Sequence, residues 1–494
     1  MEPALSRGKF LLGSTALLLP ALLTSGTIAD AQQRPVFENL VAMPPLDNGT
    51  MLNGVRVFDL KLQDGTTEFF PGLQTKTSGI NGNYLGPMLR MRTGEKIRLN
   101  VSNALSQTST LHWHGMNLPA KADGGPHQPI KPGDTWAPEF EVRDVASTMW
   151  FHSHQLHKTA AQVWAGLAGL IMIEDDVSDK LDLPSRYGID DVPLVLQDRR
   201  FNRDGSMPYD VSMHDEMAGM LGDFPLVNGT IRPYFQVTTQ RLRVRLLNGA
   251  NASIYNLEFE DRRNFVQIAS DGGFLEAPVQ MRKLKLAPGE RAEIIVDFAP
   301  DEAVILRSVA SNGRSGMGMM MGAQNPQFDM TEFRAGGALE ASAKTPQKLA
   351  NLPTVAKTDA KRTRKFVLEM PGMGPIRMLG LGGGFTINGR AMEMSRIDET
   401  VKMGEPEIWE IQNNGPMIHP FHIHNTQFRI LDRNGKPPAS SEKGLKDTVV
   451  VDPGETVRIL VKFEHYSDAE RPYMYHCHIL EHEDAGMMGQ FTVS

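Results

Sequence analysis

The chain has 494 residues, which is too long for one hydrophobic core and favours about three domains of roughly 150 residues each. Its formal net charge of −7 argues against nucleic acid or an anionic membrane surface as a partner. There is one cysteine, Cys477, so a disulfide scaffold within the chain is excluded and this thiol requires another explanation.

The first 31 residues have the pattern of an export signal. Arg7 and Lys9 precede an apolar stretch over residues 10–23, and the Ala-Asp-Ala of residues 29–31 offers a small-residue cleavage site. The surrounding Ser-Arg-Gly-Lys-Phe-Leu resembles a twin-arginine signal in which Gly8 replaces the second arginine. We therefore expect a periplasmic or secreted protein. No other segment is long and apolar enough to span a bilayer, so we expect no stable membrane insertion, and for the oligomeric state we expect a monomer.

Three signals recur in the same order along the chain: an Asn-Gly pair, a strand that ends in Asn, and a Pro-Gly-acid turn. The Asn-Gly pairs begin at Asn81, Asn228 and Asn388, the strands end at Asn103, Asn248 and Asn413, and the turns begin at Pro132, Pro288 and Pro453. Successive copies are offset by roughly 145–165 residues, which indicates an internal repeat.

The repeats predict an all-β protein built from three copies of one antiparallel β-sandwich. We place the copies at residues 45–180, 190–340 and 360–494, with residues 341–359 as the linker between the second and the third. Long helices are not evident, and residues 160–165 are the best candidate for a short one.

Histidines are grouped unusually tightly, because ten of the 14 lie in four short segments. Each segment contains a His-x-His pair, and on a strand residues i and i+2 point to the same face. Four pairs therefore supply eight ring nitrogens, which are too many for one ion and suit a cluster of two or three. Imidazole is a ligand of Cu, Zn, Fe and Ni. The pairs are His112 and His114, His152 and His154, His422 and His424, and His476 and His478.

The remaining ligand types indicate a second metal site. Cys477 lies between His476 and His478, so on a strand its sulfur leaves from the opposite face. His419 and His482 stand outside the pairs, and Met487 follows Cys477 by ten residues. Two histidines, one thiolate and a weak axial methionine make a blue-copper electron-transfer site.

The repeats also predict where the histidine cluster lies. His112 follows Asn81 by 31 residues, and His419 follows Asn388 by the same number. The middle repeat has no histidine at the matching point. We therefore expect the cluster between the first and third domains, with the middle domain acting as a spacer.

With these motifs the sequence resembles the multicopper oxidases: laccases, ascorbate oxidase, ceruloplasmin and bacterial copper-efflux oxidases. The resemblance covers nearly the whole mature chain and is closest to the bacterial three-domain enzymes. Residues 476–488, which read His-Cys-His-Ile-Leu-Glu-His-Glu-Asp-Ala-Gly-Met-Met, are highly specific for the family. The resemblance implies three cupredoxin-like Greek-key β-sandwich domains and four copper ions.

Family roles carried onto matching positions give a complete ligand set. Asp123 and Glu483 match acids that help protons to reach oxygen, although a single carboxylate is more often a solvated surface group. Type 1 copper would take His419, Cys477, His482 and axial Met487; type 2 copper would take His112 and His422; the type 3 pair would take His114, His152, His154, His424, His476 and His478.

The resemblance implies four one-electron oxidations of a small donor coupled to the reduction of O₂ to water. Phenols, aromatic amines and Cu(I) are all candidate donors, and we expect electrons to enter at an exposed edge formed by His419 and His482. Met417 matches a methionine of the substrate-copper site of copper-efflux oxidases, but Gly415 replaces the acid of that site and the long Met-rich insertion is missing. Shorter methionine runs at residues 317–321 and at Met370, Met373 and Met378 could stand in, or could simply fill cores and loops.

Four alternatives remain open. A cuprous oxidase dedicated to copper tolerance would use the same ligands. A copper nitrite reductase would have the blue site without the cluster, which the eight paired nitrogens disfavour. A protein that sequesters copper would not consume oxygen, and a cell-envelope scaffold of the same fold would not require the ligands at all.

Overall fold

The computed structural model describes residues 36–310, 326–352, 356–371 and 384–494. The export signal predicted for residues 1–31 lies outside these ranges, as do Met373, Met378 and the methionines of residues 317–321. Within these ranges no helix has the length and hydropathy needed to cross a bilayer.

The first sandwich comprises two sheets formed by residues 46–174. One sheet has the order β1-β5-β11-β10-β7; the other has β2-β3-β6-β8, with β4 beside β3 and β9 beside β6. Alternate residues of β3, such as Leu60 and Leu62, are buried against the opposite sheet, while Lys61 between them is exposed. The strands are β1 (Leu46–Asp47), β2 (Thr50–Leu52), β3 (Val55–Phe70), β4 (Leu73–Ile80), β5 (Met88–Arg92), β6 (Lys96–Asn103), β7 (His112–His114), β8 (Thr135–Trp136), β9 (Glu139–Glu141), β10 (Ser147–His152) and β11 (Ala168–Glu174).

The middle sandwich is formed by residues 191–340. Its sheets have the orders β14-β13-β12-β16-β21-β18-β19 and β15-β23-β22-β17-β20, and apolar residues from both form one buried core. The strands are β12 (Asp191–Arg199), β13 (Phe224–Val227), β14 (Thr230–Ile231), β15 (Tyr234–Thr239), β16 (Arg241–Asn248), β17 (Tyr255–Phe259), β18 (Phe265–Ser270), β19 (Gly273–Met281), β20 (Leu284–Leu286), β21 (Arg291–Asp297), β22 (Ala303–Ser308) and β23 (Phe328–Glu340).

The third sandwich is formed by residues 362–493. Its sheets have the orders β25-β24-β27-β31-β29 and β26-β33-β32-β28-β30, and its core is rich in aromatic side chains that include Trp409 and Tyr475. The strands are β24 (Arg362–Glu369), β25 (Thr386–Ile387), β26 (Glu399–Val401), β27 (Glu407–Asn413), β28 (His419–Ile423), β29 (Arg429–Arg433), β30 (Thr448–Val451), β31 (Thr456–Val461), β32 (Asp468–Cys477) and β33 (Met488–Val493).

Short helices lie between the strands. α1 (Thr159–Ala165) confirms the predicted short helix, and it packs against α3 (Leu480–Asp484) through Ala160 and Leu480. α2 (Met213–Ala218) begins with a capping box formed by Ser212 and Asp215. Single 3₁₀ turns cover Ala120–Ala122, Ser178–Lys180, Lys357–Asp359 and Ser440–Glu442.

The all-β prediction of three sandwiches is confirmed, with one correction. The sheets are not purely antiparallel, since each contains a parallel pair, such as β3 with β6, β12 with β16, and β24 with β27. Parallel neighbours require a crossover connection, and here the chain passes through the opposite sheet between the paired strands. The exact limits predicted for the three domains and the linker at 341–359 stay a prediction.

Candidate metal centre

Two pairs of strands bring the first and third sandwiches' histidines to the same region. β7 pairs antiparallel with β10, so that His112 lies opposite His152. β28 pairs antiparallel with β32, so that His422 lies opposite His476. In three of the four His-x-His pairs the strand ends before the second histidine, so these pairs lie where the chain leaves a sheet.

Eight imidazole rings converge in a cluster between the first and third sandwiches, which we call the histidine cluster. All eight residues are at most 1% exposed. The rings form three groups, in each of which one nitrogen per residue lies within 4.8 Å of the others. The groups are His112, His114 and His422; His114, His152 and His478; and His154, His424 and His476.

Most of these rings donate their outer N–H to an oxygen of the protein. Nδ1 of His112 lies 2.8 Å from the carbonyl oxygen of Asp123, and Nδ1 of His152 lies 2.8 Å from that of Ser153. A carbonyl oxygen can only accept a hydrogen bond, so these Nδ1 atoms carry the protons and Nε2 faces inward without one. His114 is reversed, because its Nε2 donates to Asp447 Oδ1 at 2.9 Å and leaves Nδ1 inward.

The inward nitrogens of five rings have no hydrogen-bond partner, although they are buried, and Nε2 of His476 lies 3.3 Å from that of His154 and 3.4 Å from that of His424. Buried polar atoms are nearly always satisfied, and a metal ligand typically has its outer nitrogen hydrogen-bonded and its inner one free. The residues therefore fit a multinuclear metal site. The unpartnered nitrogens include Nε2 of His112, His152 and His422, Nδ1 of His114, and both ring nitrogens of His478.

Electrostatics favour the neutral rings that a metal requires. Burial, followed by the proximity of other rings, lowers the pKa of His112 and His478 well below its ordinary value. The same causes lower the pKa of His152 to about 3. Neutral imidazole is the form that binds metal ions, so these rings could bind a cation without first losing a proton.

Asp123 and Glu483 both lie beside the histidine cluster and are buried, so neither is a solvated surface acid. Asp123 Oδ2 accepts a hydrogen bond from Nδ1 of His424 at 2.8 Å. Glu483 lies between two rings, with its oxygens 3.3 Å from Nδ1 of His154 and 3.1 Å from Nδ1 of His476. Burial raises the pKa of Asp123 well above its usual range.

A second group, which we call the cysteine group, consists of His419, Cys477 and His482. The Cys477 sulfur lies 3.4 Å from Nδ1 of His419 and 3.7 Å from Nδ1 of His482. Burial raises the pKa of the Cys477 thiol, so a thiolate there requires a bound cation. Met487 is buried at the same corner, where its main chain bonds to Cys477 and to His482.

The predicted exposed edge at His419 and His482 is wrong, because both side chains are buried. Nε2 of His482 donates to the carbonyl oxygen of Met217 in α2 at 3.1 Å, and the Phe385 ring stacks on His482. Sequence reasoning could not find this cover, since Met217 precedes His482 by 265 residues.

Met417 is buried near the cysteine group, and its carbonyl oxygen accepts a hydrogen bond from Asn413 at 2.7 Å. A Cβ atom at Gly415 would lie 3.5 Å from Nε2 of His419 and 3.5 Å from Cγ of Met370. The position where copper-efflux oxidases carry an acid is therefore adjacent to His419.

Asp447 and Arg291 are neighbours of the histidine cluster that sequence reasoning missed. Asp447 bonds to His114 through its side chain and to His422 through its main chain. Neither residue belongs to a His-rich motif, and no spacing rule connects positions so distant in the chain. Trp150 stacks on His152 with ring centroids 4.1 Å apart.

Fold and site together define an all-β protein of cupredoxin-like sandwiches whose histidine and cysteine groups suit copper. Two family models described as multicopper oxidase match residues 61–178 and 344–494. A multicopper oxidase from Staphylococcus aureus is 37% identical over 466 residues, which cover 91% of this chain and 90% of that protein. The chain therefore belongs to the multicopper oxidase family.

Two further relatives differ in what they are named for. The cell division protein FtsP of Escherichia coli strain K12 is 34% identical over 493 residues and matches 99% of both chains. The laccase-like multi-copper oxidase CueO from the lignin-degrading bacterium Ochrobactrum sp. has a solved structure with a TM-score of 0.83 and 36% identity. That match covers 92% of this chain and 100% of the other.

Proposed function

We propose that this protein is a laccase-like oxidase that couples four one-electron oxidations of phenols, aromatic amines or Cu(I) to the reduction of O₂ to water. One observation carries the proposal: eight buried imidazoles converge, five of them with unpartnered inward nitrogens, and a single tripeptide, residues 476–478, joins them to the cysteine group. Family membership supports copper as the cofactor. The Ochrobactrum relative is described as an oxidase of lignin model compounds and lignosulfonate.

The four copper ions would be distributed as one type 1, one type 2 and two type 3 ions. The three nitrogen groups support this division, because they give each type 3 ion three histidines and leave two for the type 2 ion. Type 1 copper would be held by His419, Cys477 and His482 with axial Met487, type 2 by His112 and His422, and the type 3 pair by His114, His152 and His478 and by His154, His424 and His476.

Copper, when bound, supplies the one-electron redox chemistry and the capacity to store four electrons. The chain supplies the path and the protons. Cys477 is directly bonded through its peptide units to His476 and His478, which gives a short covalent route from the cysteine group to the histidine cluster. Glu483 and Asp123 are placed to hold and pass protons, since each touches the outer nitrogen of a cluster histidine.

A small donor would transfer its electrons near His482 and α2. A Cβ atom at Gly415 would contact both His419 and Met370, and Met417 lies two residues before His419 in the chain; thioethers favour Cu(I). This environment supports some cuprous oxidase activity beside phenol oxidation. If Cu(I) is the main donor, the protein would be a cuprous oxidase dedicated to copper tolerance. The pattern of residues 1–31 supports export to the periplasm or medium.

The proposal is tested by oxygen uptake of the copper-loaded protein across a panel of phenols, aromatic amines and Cu(I). We expect uptake with at least one donor class; its absence with all of them, in a protein holding four coppers, would leave sequestration as the better explanation. The substrate role of Met417 is tested by Met417→Leu, with Met330→Leu in the core of the middle sandwich as the control. We expect slower Cu(I) oxidation only in the first variant, and equal rates in both would remove Met417 from the substrate site.

A role in cell division is the second candidate, because the match to FtsP runs along 99% of both chains. Such a role would not require copper turnover. A deletion strain that divides normally but tolerates copper or phenols poorly would favour the oxidase. A division defect rescued equally by the wild type and by Cys477→Ser would favour the second candidate.

A further inference from the structure

The middle sandwich reaches the histidine cluster through Arg291, at the start of β21. The guanidinium is fully buried and donates two parallel hydrogen bonds to Asp447, from Nη1 at 2.8 Å and from Nη2 at 2.6 Å. Planar two-pronged contacts of this kind fix the orientation of a carboxylate as well as its position.

Asp447 in turn determines which nitrogen of His114 faces inward. Its Oδ1 accepts the Nε2 proton of His114 at 2.9 Å, and its carbonyl oxygen accepts from Nδ1 of His422 at 2.9 Å. If this carboxylate turned away, only the Thr448 hydroxyl, 3.3 Å from Nε2, would remain to accept the Nε2 proton of His114. The orientation of one carboxylate therefore controls a ring of the cluster.

The other N–H groups of Arg291 donate to main-chain carbonyl oxygens, so its guanidinium is held in one position. Nε donates to the carbonyl oxygen of Thr148 at 3.0 Å, Nη1 to that of Gly289 at 2.9 Å, and Nη2 to that of Asp271 at 3.0 Å. Lysine, with three donors and no planar fork, cannot reproduce these contacts.

The turn before Arg291 touches the same group of rings. Gly289 has φ +84°, and a Cβ atom there would lie 3.0 Å from Cδ2 and 3.1 Å from Cγ of His478. Neither nitrogen of His478 has a hydrogen-bond partner, so no polar contact within the described protein fixes that ring. Packing therefore limits its position, with the Gly289 turn against the ring and the centroid of the Trp150 ring 5.5 Å from that of His478.

We propose that the middle sandwich positions two ligands of the histidine cluster. Arg291 is a positioning residue that acts through Asp447 on His114, and Gly289 positions His478. His114 and His478 belong to one nitrogen group, so both contacts act on the same type 3 copper. The inference rests on the proposed function, and it extends the middle sandwich's role beyond that of a spacer.

The first test compares Arg291→Lys with Arg245→Lys. Arg245 is a similarly buried arginine of the middle sandwich, on β16. Its guanidinium donates to Asp191, Glu293 and the Thr148 hydroxyl, and none of these hydrogen bonds reaches Asp447 or a cluster histidine. We expect Arg291→Lys to bind copper in the histidine cluster about 10–100-fold more weakly than the wild type. The variant should lose the near-ultraviolet band of the coupled type 3 pair and keep the blue band of the type 1 copper. Arg245→Lys should keep both bands.

The second test changes no buried charge. It therefore still tests whether the middle sandwich positions cluster ligands if Arg291→Lys does not fold. Gly289→Ala is compared with Gly133→Ala, the matching turn of the first repeat, which has φ +83° but no atom within 4 Å of the added Cβ. Both variants bear the same backbone strain, so only the contact with His478 differs. We expect the type 3 band to weaken in Gly289→Ala alone.

The outcomes separate the two proposals. A wild-type protein that takes up copper without a type 3 band would overturn the proposed function, and this inference with it. A normal wild type, with full copper and an intact band in both test variants, would overturn the inference alone. Equal losses in test and control variants would also overturn it, because they would show only general destabilisation.

Discussion

Met487 and Met488 are consecutive methionines, both buried, but only Met487 is assigned to the type 1 copper. We expect Met487→Leu to keep the blue colour and to raise the type 1 potential, because loss of a weak axial donor favours Cu(I). Met488→Leu makes the same change in volume, which costs less than about 1.5 kcal/mol, and should leave the potential unchanged. Redox titration of the blue band distinguishes them, and equal potentials would remove Met487 as the axial ligand.

Glu481 and Glu483 offer a similar contrast between neighbouring acids. Glu483 contacts His154 and His476, whereas Glu481 accepts hydrogen bonds from Asn251 and Tyr209. Replacing Glu483 by Gln should slow oxygen uptake about 10²–10⁴-fold with all four coppers present, because the amide cannot deliver protons. Glu481→Gln should remain near the wild-type rate. A fully active Glu483→Gln protein would exclude this residue from proton delivery.

At the scale of elements, the strand argument for the histidine pairs was right about their convergence but incomplete about its cause. Only His112 and His114 lie together within one strand, β7. β10, β28 and β32 each end before the second histidine of their pair, so turns rather than pleating aim those rings. The sequence could not reveal this, since strand ends depend on pairing partners far along the chain.

The strands of the middle sandwich also carry a buried ionic network that makes stability depend on pH. Burial would raise the pKa of Glu293 on β21, but Arg243 and Arg245 on β16 lower it to about 2. Because the folded-state pKa lies below the ordinary 4.5, this stabilisation is complete above about pH 4.5 and is lost as pH falls towards 2. The shift corresponds to roughly 3 kcal/mol.

Glu293→Gln tests this assignment. At neutral pH the variant should lose about 3–5 kcal/mol of unfolding free energy, since two buried guanidinium groups lose a partner. Its stability should then fall less steeply than that of the wild type between pH 4.5 and pH 2. Denaturant unfolding across this range is the measurement, with the half-exposed pair of Arg90 and Glu174 as the control: Glu174→Gln should cost at most about 1 kcal/mol. Parallel pH profiles for Glu293→Gln and the wild type would contradict the assignment.

At the scale of the whole molecule, the histidine cluster joins segments that are far apart in the chain. Metal bound there would cross-link the first and third sandwiches, whereas metal in the cysteine group would bind the third sandwich only. Copper should therefore stabilise the protein, by about 2.7 kcal/mol at a free concentration one hundred times the dissociation constant. Calorimetry of apo and loaded protein measures this gain.

His419→Ala separates the contributions of the two sites. It removes a ligand of the cysteine group and leaves the cluster intact, so most of the copper-dependent rise in the unfolding temperature should remain. His422→Ala should lose most of it. The opposite order would mean that the cysteine group, and not the cross-link between sandwiches, dominates the stabilisation.

The sequence by itself determined the donor atoms, the repeat and the family, because metal preference follows from residue type and because repeated turn signals are local. The tertiary structure decided which nitrogens share a group, that α2 covers His482, and that the middle sandwich contacts the cluster. These features join residues as distant as Arg291 and Asp447, 156 positions apart, or His114 and Asp447, 333 apart. Such contacts depend on how whole sheets pack, and no local pattern in the chain encodes them.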